Sequence, residues 1–192
     1  MLHCPVCSVK KDRKGIEKKF LAKCKKKIDM IKKNQTTGGM KEMRDYIITV
    51  NSTVDMPKEW LAERGVPVIP LKYTMEGKTY TDMEGLTPKE FFGKLREGKM
   101  SVTSQVNPEE AKEMLEPFVK EGKDVLHLSF SSGLSGTANS MRMAAEELSE
   151  EYPERKILAV DTLCACMGEG LLLHKALQLK AAGKTMEEVA QW

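Results

Sequence analysis

The chain has 192 residues, 41% hydrophobic and 31% charged with only 6% aromatic, a composition expected of one soluble globular domain with an appendage. Its net charge of +3 hides an asymmetry: residues 1–42 hold 13 Lys+Arg against 4 Asp+Glu, net +9, and the other 150 hold 18 against 24, net −6. No apolar run approaches the ~20 residues that cross a bilayer and no signal-peptide pattern opens the chain, so neither stable membrane insertion nor secretion is expected and the cytoplasm is the expected compartment.

Residues 1–42 read as a basic leader. His3-Cys4-Pro5-Val6-Cys7 resembles one knuckle of a zinc ribbon. Zinc needs four ligands, and Cys24 stands without a second C-x-x-C, so Cys4 and Cys7 fall short of a site and no metal is expected. The lysines from Lys10 to Lys33 are read as a solvated, disordered tail, with no nucleic-acid partner. The alternative is an upstream extension from a mis-assigned start, with Met43 as the true initiator.

Regular structure is predicted from there on. Tyr46-Ile47-Ile48-Thr49-Val50 is a buried strand, followed by an Asn51-Ser52-Thr53 loop and a short helix opened by Pro57 and closed by Gly65. Residues 66–73 read as a second strand, which Pro67 and Pro70 confine to an edge or to partial pairing. Thr87-Pro88-Lys89-Glu90 and Asn107-Pro108-Glu109-Glu110 are capping boxes that start two helices, the second kinked or shortened by Pro117. Between them, Ser101-Val102-Thr103-Ser104-Gln105 reads as a polar loop. Val125 to Phe130 is a third strand, and a helix follows the Ser131 to Thr137 loop. Ile157-Leu158-Ala159-Val160 is a fourth strand, ending at Asp161-Thr162. Met167 to Ala181 is apolar over most of its surface and is expected to be a buried helix. Thr185-Met186-Glu187-Glu188 caps a last helix, cut off within two turns at Trp192. Strands alternating with helices imply an α/β fold with a largely parallel sheet flanked by helices.

In such a sheet, ligands bind outside the carboxyl ends of the strands. The loops there hold Asn51-Ser52-Thr53, Thr103-Ser104-Gln105, Ser131 to Thr137 and Asp161-Thr162, nearly all rich in hydroxyls. Hydroxyls donate hydrogen bonds without bringing charge, and Gly133 and Gly136 allow close backbone approach, a combination suited to a carboxylate or phosphate. No lysine follows Gly136, so this is not a P-loop, and the glycine spacing is not that of a dinucleotide fingerprint. Each loop alone is also what turn formers and N-caps look like. His127 reads as a core or edge-strand histidine, and Cys164 and Cys166 as small packing residues.

The run His127 to Thr137 (HLSFSSGLSGT) resembles the signature of the DegV family of bacterial fatty-acid-binding proteins. Thr103-Ser104-Gln105 is similar to that family's second motif, and Asp161-Thr162 with Met167-Gly168-Glu169-Gly170 to its third, in order from Met43 to Trp192. The resemblance implies a lipid carrier without catalytic residues or cofactor. Its ligand would be one long-chain fatty acid, presented to a separate fatty acid kinase that makes an acyl phosphate for phospholipid synthesis. It implies Thr103 and Ser135 as carboxylate-binding hydroxyls, a head-group loop of Ser104, Ser131, Ser132, Gly133 and Gly136, and supporting positions Asn51, Ser52, Asp161 and Thr162. Asn51 stands where aspartate is commoner in the family, and Thr162 where serine is. Residues 43–192 would then be the N-terminal α/β domain, truncated at its C-terminal end, with the family's second domain absent. The competing class is a phosphotransfer domain of dihydroxyacetone-kinase-like type using the same loops.

Overall fold

The computed structural model describes residues 44–192, so Cys4, Cys7, Cys24 and the basic leader lie outside the described residues. The elements run β1 (Tyr46–Asn51), a 3-10 turn (Ser52–Val54), α1 (Lys58–Glu63), β2 (Val68–Ile69), β3 (Lys72–Met75), β4 (Lys78–Thr81) and α2 (Pro88–Arg96). They continue with β5 (Ser101–Ser104), α3 (Pro108–Lys120), β6 (Asp124–Ser129), α4 (Thr137–Glu151), β7 (Ile157–Asp161), α5 (Met167–Ala181) and α6 (Met186–Gln191).

Four strands form an all-parallel sheet in the order β2-β1-β6-β7. The central strands are buried on both faces because both are covered. Ile48 and Val50 of β1, with Leu126 and Leu128 of β6, pack in one core with Leu173 and Ala176 of α5 and Val189 of α6. Val125 of β6 belongs to a second core with Leu115 and Val119 of α3 and Met141 and Leu148 of α4. Full burial of one such side chain contributes about 1.5–3 kcal/mol, so two-sided coverage is what holds the sheet rigid beneath its loops.

Three helices begin as their sequences predict. Thr87 with Glu90, Asn107 with Glu110, and Thr185 with Glu188 form reciprocal capping boxes at α2, α3 and α6. Pro117 does not end α3, which continues to Lys120 with Leu115 and Val119 buried on either side of the proline. Core packing outweighs the one hydrogen bond a proline removes near a helix end.

Three expectations are corrected. The strand expected over 66–73 is broken at Pro70. Its first part is β2, at the edge of the parallel sheet, and its second is β3, in a separate antiparallel sheet of order β4-β3-β5. The segment expected as a loop at Thr103-Ser104-Gln105 is largely β5, with Thr103 opposite Tyr73 and Ser104 opposite Lys72. The third concerns α5, which is apolar over most of its surface but buries only Glu169, Gly170, Leu173 and Ala176 among its residues. Leu171 on it is 67% exposed.

The small sheet rests on aromatic contacts. Tyr73 of β3 stacks on Tyr80 of β4 at 5.3 Å and meets Phe91 of α2 edge-on at the same separation. The tight β3–β4 turn places Glu76 and Gly77 both at positive φ, 52° and 77°, the backbone that matches the twist of two-residue hairpins.

Candidate functional site

The chain runs from β1 outward to β2 and then returns to the opposite side of β1 for β6 and β7. The order therefore reverses between β1 and β6, the place where α/β sheets open a ligand crevice at their carboxyl ends. Asn51 closes β1 there and is fully buried. Its Oδ1 accepts the Phe130 N–H at 2.9 Å and lies 3.3 Å from His127 Nε2, and its Nδ2 donates to the Ile69 carbonyl at 3.4 Å. One amide thus ties β2, β1 and the start of the Ser131 loop together.

That loop is shaped by its own hydroxyls. Ser131 Oγ accepts the Gly133 N–H, and its carbonyl accepts the N–H groups of Leu134 and Ser135. Ser135 Oγ accepts the Thr137 N–H at 3.2 Å and lies 2.9 Å from Thr137 Oγ1, which accepts the Val106 N–H. When Thr137 donates across the hydroxyl pair, Ser135 has accepted twice and keeps its own O–H free for an incoming anion. Gly136 opens α4 without a side-chain cap, and the Gln105 amide packs where its Cβ would lie.

The β7 end braces the loop from the other side. Asp161 Oδ1 accepts the N–H groups of Ser132 and Leu163, at 3.2 and 3.0 Å. Partial burial pushes this carboxyl up, but hydrogen bonds from Ser132 and Leu163 outweigh it and hold it below the ordinary value. Thr162 Oγ1 donates to the Ser129 carbonyl at 2.8 Å, and the Ser131 N–H reaches the Cys164 carbonyl at 3.0 Å.

Beside this loop cluster lies an open cleft of about 780 Å³ between the 52–58 segment and the small sheet with α2. Ser52, Thr53 and Thr103 supply hydroxyls to it, and Met56, Leu71, Met83, Leu86, Phe91 and Phe92 supply apolar wall. Ser52 Oγ accepts the Leu71 N–H, and Thr53 Oγ1 donates to Glu169 Oε2 at 2.8 Å. Among the described residues there is no group of three or more His, Cys, Asp or Glu side chains that would hold a metal ion.

A family model described as "Uncharacterised protein, DegV family" matches residues 46–192. The chain belongs to the DegV family. A DegV domain-containing protein of Clostridium perfringens is 43% identical over 152 residues, covering 78% of this chain and 52% of that protein. A solved DegV family protein from Thermus thermophilus, described by its fatty acid binding, superposes with a TM-score of 0.68 at 36% identity, over 76% of this chain and 50% of that one. A DegV family protein from Ruminococcus gnavus, solved with vaccenic acid, gives a TM-score of 0.68 at 28% identity, over 78% of this chain and 53% of that one. The chain spans about half the length of the curated relatives it matches. The α/β fold with its parallel sheet is the fold of the DegV structures.

Within this DegV domain the residues singled out in the sequence fall into two groups. Ser52 and Thr103 line the cleft, whereas Ser131, Ser132, Gly133, Ser135, Gly136, Asp161 and Thr162 build the loop cluster at the sheet edge. The two groups meet where Gln105 covers Gly136 and Val106 bonds Thr137. Ser104 ends β5 beside them, and Asn51 is scaffold with its side chain wholly engaged. His127 lies in the core, Cys164 is half-buried and Cys166 exposed, both as free thiols. Sequence reasoning missed the pairing of Thr53 with Glu169. Its only trace was a lone acid between two glycines on an otherwise apolar helical face.

Proposed function

We propose that this DegV domain binds a long-chain fatty acid, its carboxylate held by neutral hydroxyl donors and its acyl chain against the apolar wall of the cleft. The observation that carries the reading is the junction of the two groups: a cleft with hydroxyls at Ser52, Thr53 and Thr103 beside a wall of Met and Phe, adjoining the loop in which Ser135 keeps a donor free when Thr137 donates to it. Thr103 and Ser135 are the proposed carboxylate contacts, with Ser104 and the Ser131 to Gly136 loop around them. Asp55, Asp82 and Glu84 also line the cleft, against Lys58 and Lys72, and Lys72 is paired with Glu110 at 2.6 Å. With acids outnumbering bases on the walls, a carboxylate must be recognised by oriented hydroxyl and backbone donors more than by net charge. Relatives described as binding fatty acids support the same ligand class.

In this reading the domain is a carrier and holds no nucleophile. The exposed edge of the loop cluster presents the carboxylate to a separate fatty acid kinase. Lipid extracted from natively purified protein is expected to contain fatty acid, and calorimetric titration is expected to show binding of oleate and none of a triose phosphate. A double Thr103→Ala, Ser135→Ala variant is expected to lose bound lipid. Full retention by that variant overturns the assignment of the carboxylate contacts, and triose phosphate binding in place of oleate overturns the ligand class.

A further inference from the structure

Glu169 stands on the first turn of α5 with no exposed surface. Its Oε2 accepts the Thr53 hydroxyl at 2.8 Å, and its Oε1 has no hydrogen-bond partner among the described residues. Thr53 is also part of the cleft wall. A threonine hydroxyl has one proton. While Glu169 is ionised that proton points at Oε2, and Thr53 turns only lone pairs toward the cleft.

We propose that Glu169 is a proton-controlled positioning residue: on taking up a proton it reverses its hydrogen bond with Thr53, and the Thr53 hydroxyl then donates toward a carboxylate in the cleft. The proposal rests on the fatty-acid reading of that cleft. The protonated carboxyl donates to Thr53 Oγ1, so the threonine's own proton is released to the open side. The same step removes a negative charge from directly behind the cleft wall, where Asp55, Asp82 and Glu84 already repel an anion.

The proton is available near neutrality. Burial pushes the Glu169 carboxyl up to about 7, opposed by the hydrogen bond from Thr53 and, more weakly, by the nearby Asn51 backbone. Asp55 and Lys58 follow the 3-10 turn that packs on α5. Glu187 and Glu188 lie on α6, His174 and Lys175 on α5 itself, and Asp161, Cys164 and Cys166 just before it. None of these contributes to the shift, which belongs to burial, Thr53 and the Asn51 backbone.

The test is calorimetric titration of the 192-residue chain with monomeric oleate across the transition near pH 7, in buffers of differing ionisation enthalpy, so that protons taken up with the ligand are counted. Wild type is expected to bind more tightly as pH falls, by up to about tenfold per pH unit on the alkaline side, with net proton uptake. Glu169→Gln keeps the shape and offers a permanent N–H donor to Thr53. It is expected to hold the low-pH affinity at every pH, and Thr53→Val the weak affinity at every pH. The ligand's own titration is common to all three proteins, so a Glu169→Gln profile with the wild-type slope overturns the proposal while leaving the fatty-acid reading intact. Absence of oleate binding by wild type at every pH overturns both. A ligand-free check follows the Glu169 carboxyl carbon by NMR, with a midpoint expected near 7 that rises further in Thr53→Val. A midpoint at the ordinary glutamate value also overturns the proposal.

Discussion

His127 Nε2 lies 3.3 Å from Asn51 Oδ1, joining the two central strands beneath the carboxyl edge where the loops diverge. Oδ1 already accepts the Phe130 N–H, so it is the carbonyl oxygen of the amide and His127 must donate to it from Nε2. Nδ1 then accepts the Thr49 hydroxyl at 2.9 Å. The ring is thereby fixed as one neutral tautomer, with both its nitrogens and both polar atoms of the Asn51 amide engaged.

Acid should break this chain of bonds. Burial pushes the His127 imidazole down to about 3, against an ordinary value of 6.5. The unfolded state therefore binds the extra proton over that interval, and the stability of the native state is full above about 6.5 and lost as pH falls toward 3. Urea midpoints measured against pH are expected to fall across this window in wild type and to fall less in His127→Leu. At neutral pH the leucine variant is expected to be about 1–3 kcal/mol less stable, because Thr49 loses its buried acceptor. Equal acid slopes in the two proteins would contradict a buried neutral histidine.

Glu169 gives the opposite sign. Its folded-state value near 7 exceeds the ordinary 4.5, so the native state holds the proton longer, and stability falls as pH rises from about 4.5 through 7. Its ionised form costs up to about 3 kcal/mol at alkaline pH. Glu169→Gln is expected to be more stable than wild type above pH 7 and to lose that advantage on acidification, as read by chemical denaturation at each pH. An advantage that does not depend on pH would point to packing instead of charge.

The parallel sheet was legible because its strands are buried on both faces and because Gly, Pro and capping boxes punctuate the helices between them. The small sheet was not. Lys72-Tyr73-Thr74-Met75 and Lys78-Thr79-Tyr80-Thr81 are short and mostly polar, and their turn is Glu76-Gly77, which lacks the Asn-Gly or Asp-Gly hairpin signal. β5 depends on a pairing of Thr103 with Tyr73 some thirty residues away, which no local pattern encodes. Half of the candidate site was likewise visible as hydroxyl-rich loops. The cleft was hidden because its apolar wall comes from Met83, Phe91 and Phe92, on the insert whose sheet went unread.

Adjacent hydroxyls in the Ser131 loop should separate structure from ligand contact. Thr137 is fully buried and joins the Val106 N–H to Ser135, whereas Ser135 is part-exposed. Thr137→Val leaves the Val106 N–H without its acceptor and is expected to cost about 1–3 kcal/mol in thermal or urea unfolding. Ser135→Ala removes the acceptor of the Thr137 N–H but leaves the Val106–Thr137 bond in place, and is expected to cost about 0.5–1.5 kcal/mol, less than Thr137→Val, while weakening oleate retention. A reversed pattern, with Ser135→Ala the more destabilising, would make Ser135 part of the scaffold.

Gly136 offers a sharper separation of stability from binding. Its backbone, at φ −68° and ψ −5°, is open to any residue, so alanine there carries no conformational penalty. An added Cβ would fall 2.1 Å from Gln105 Oε1 and 2.9 Å from Gln105 Cδ, the far end of a flexible, exposed side chain. Gln105 must therefore swing away from the junction between β5 and the Ser131 loop, at small cost because its amide can return to water. Gly136→Ala is expected to unfold within about 0.5 kcal/mol of wild type, since alanine also restricts the unfolded chain. Fatty-acid binding is expected to weaken, because Gln105 no longer covers the loop beside Thr103 and Ser135. Unchanged stability with unchanged oleate affinity would show that this junction does not contribute to the head-group site.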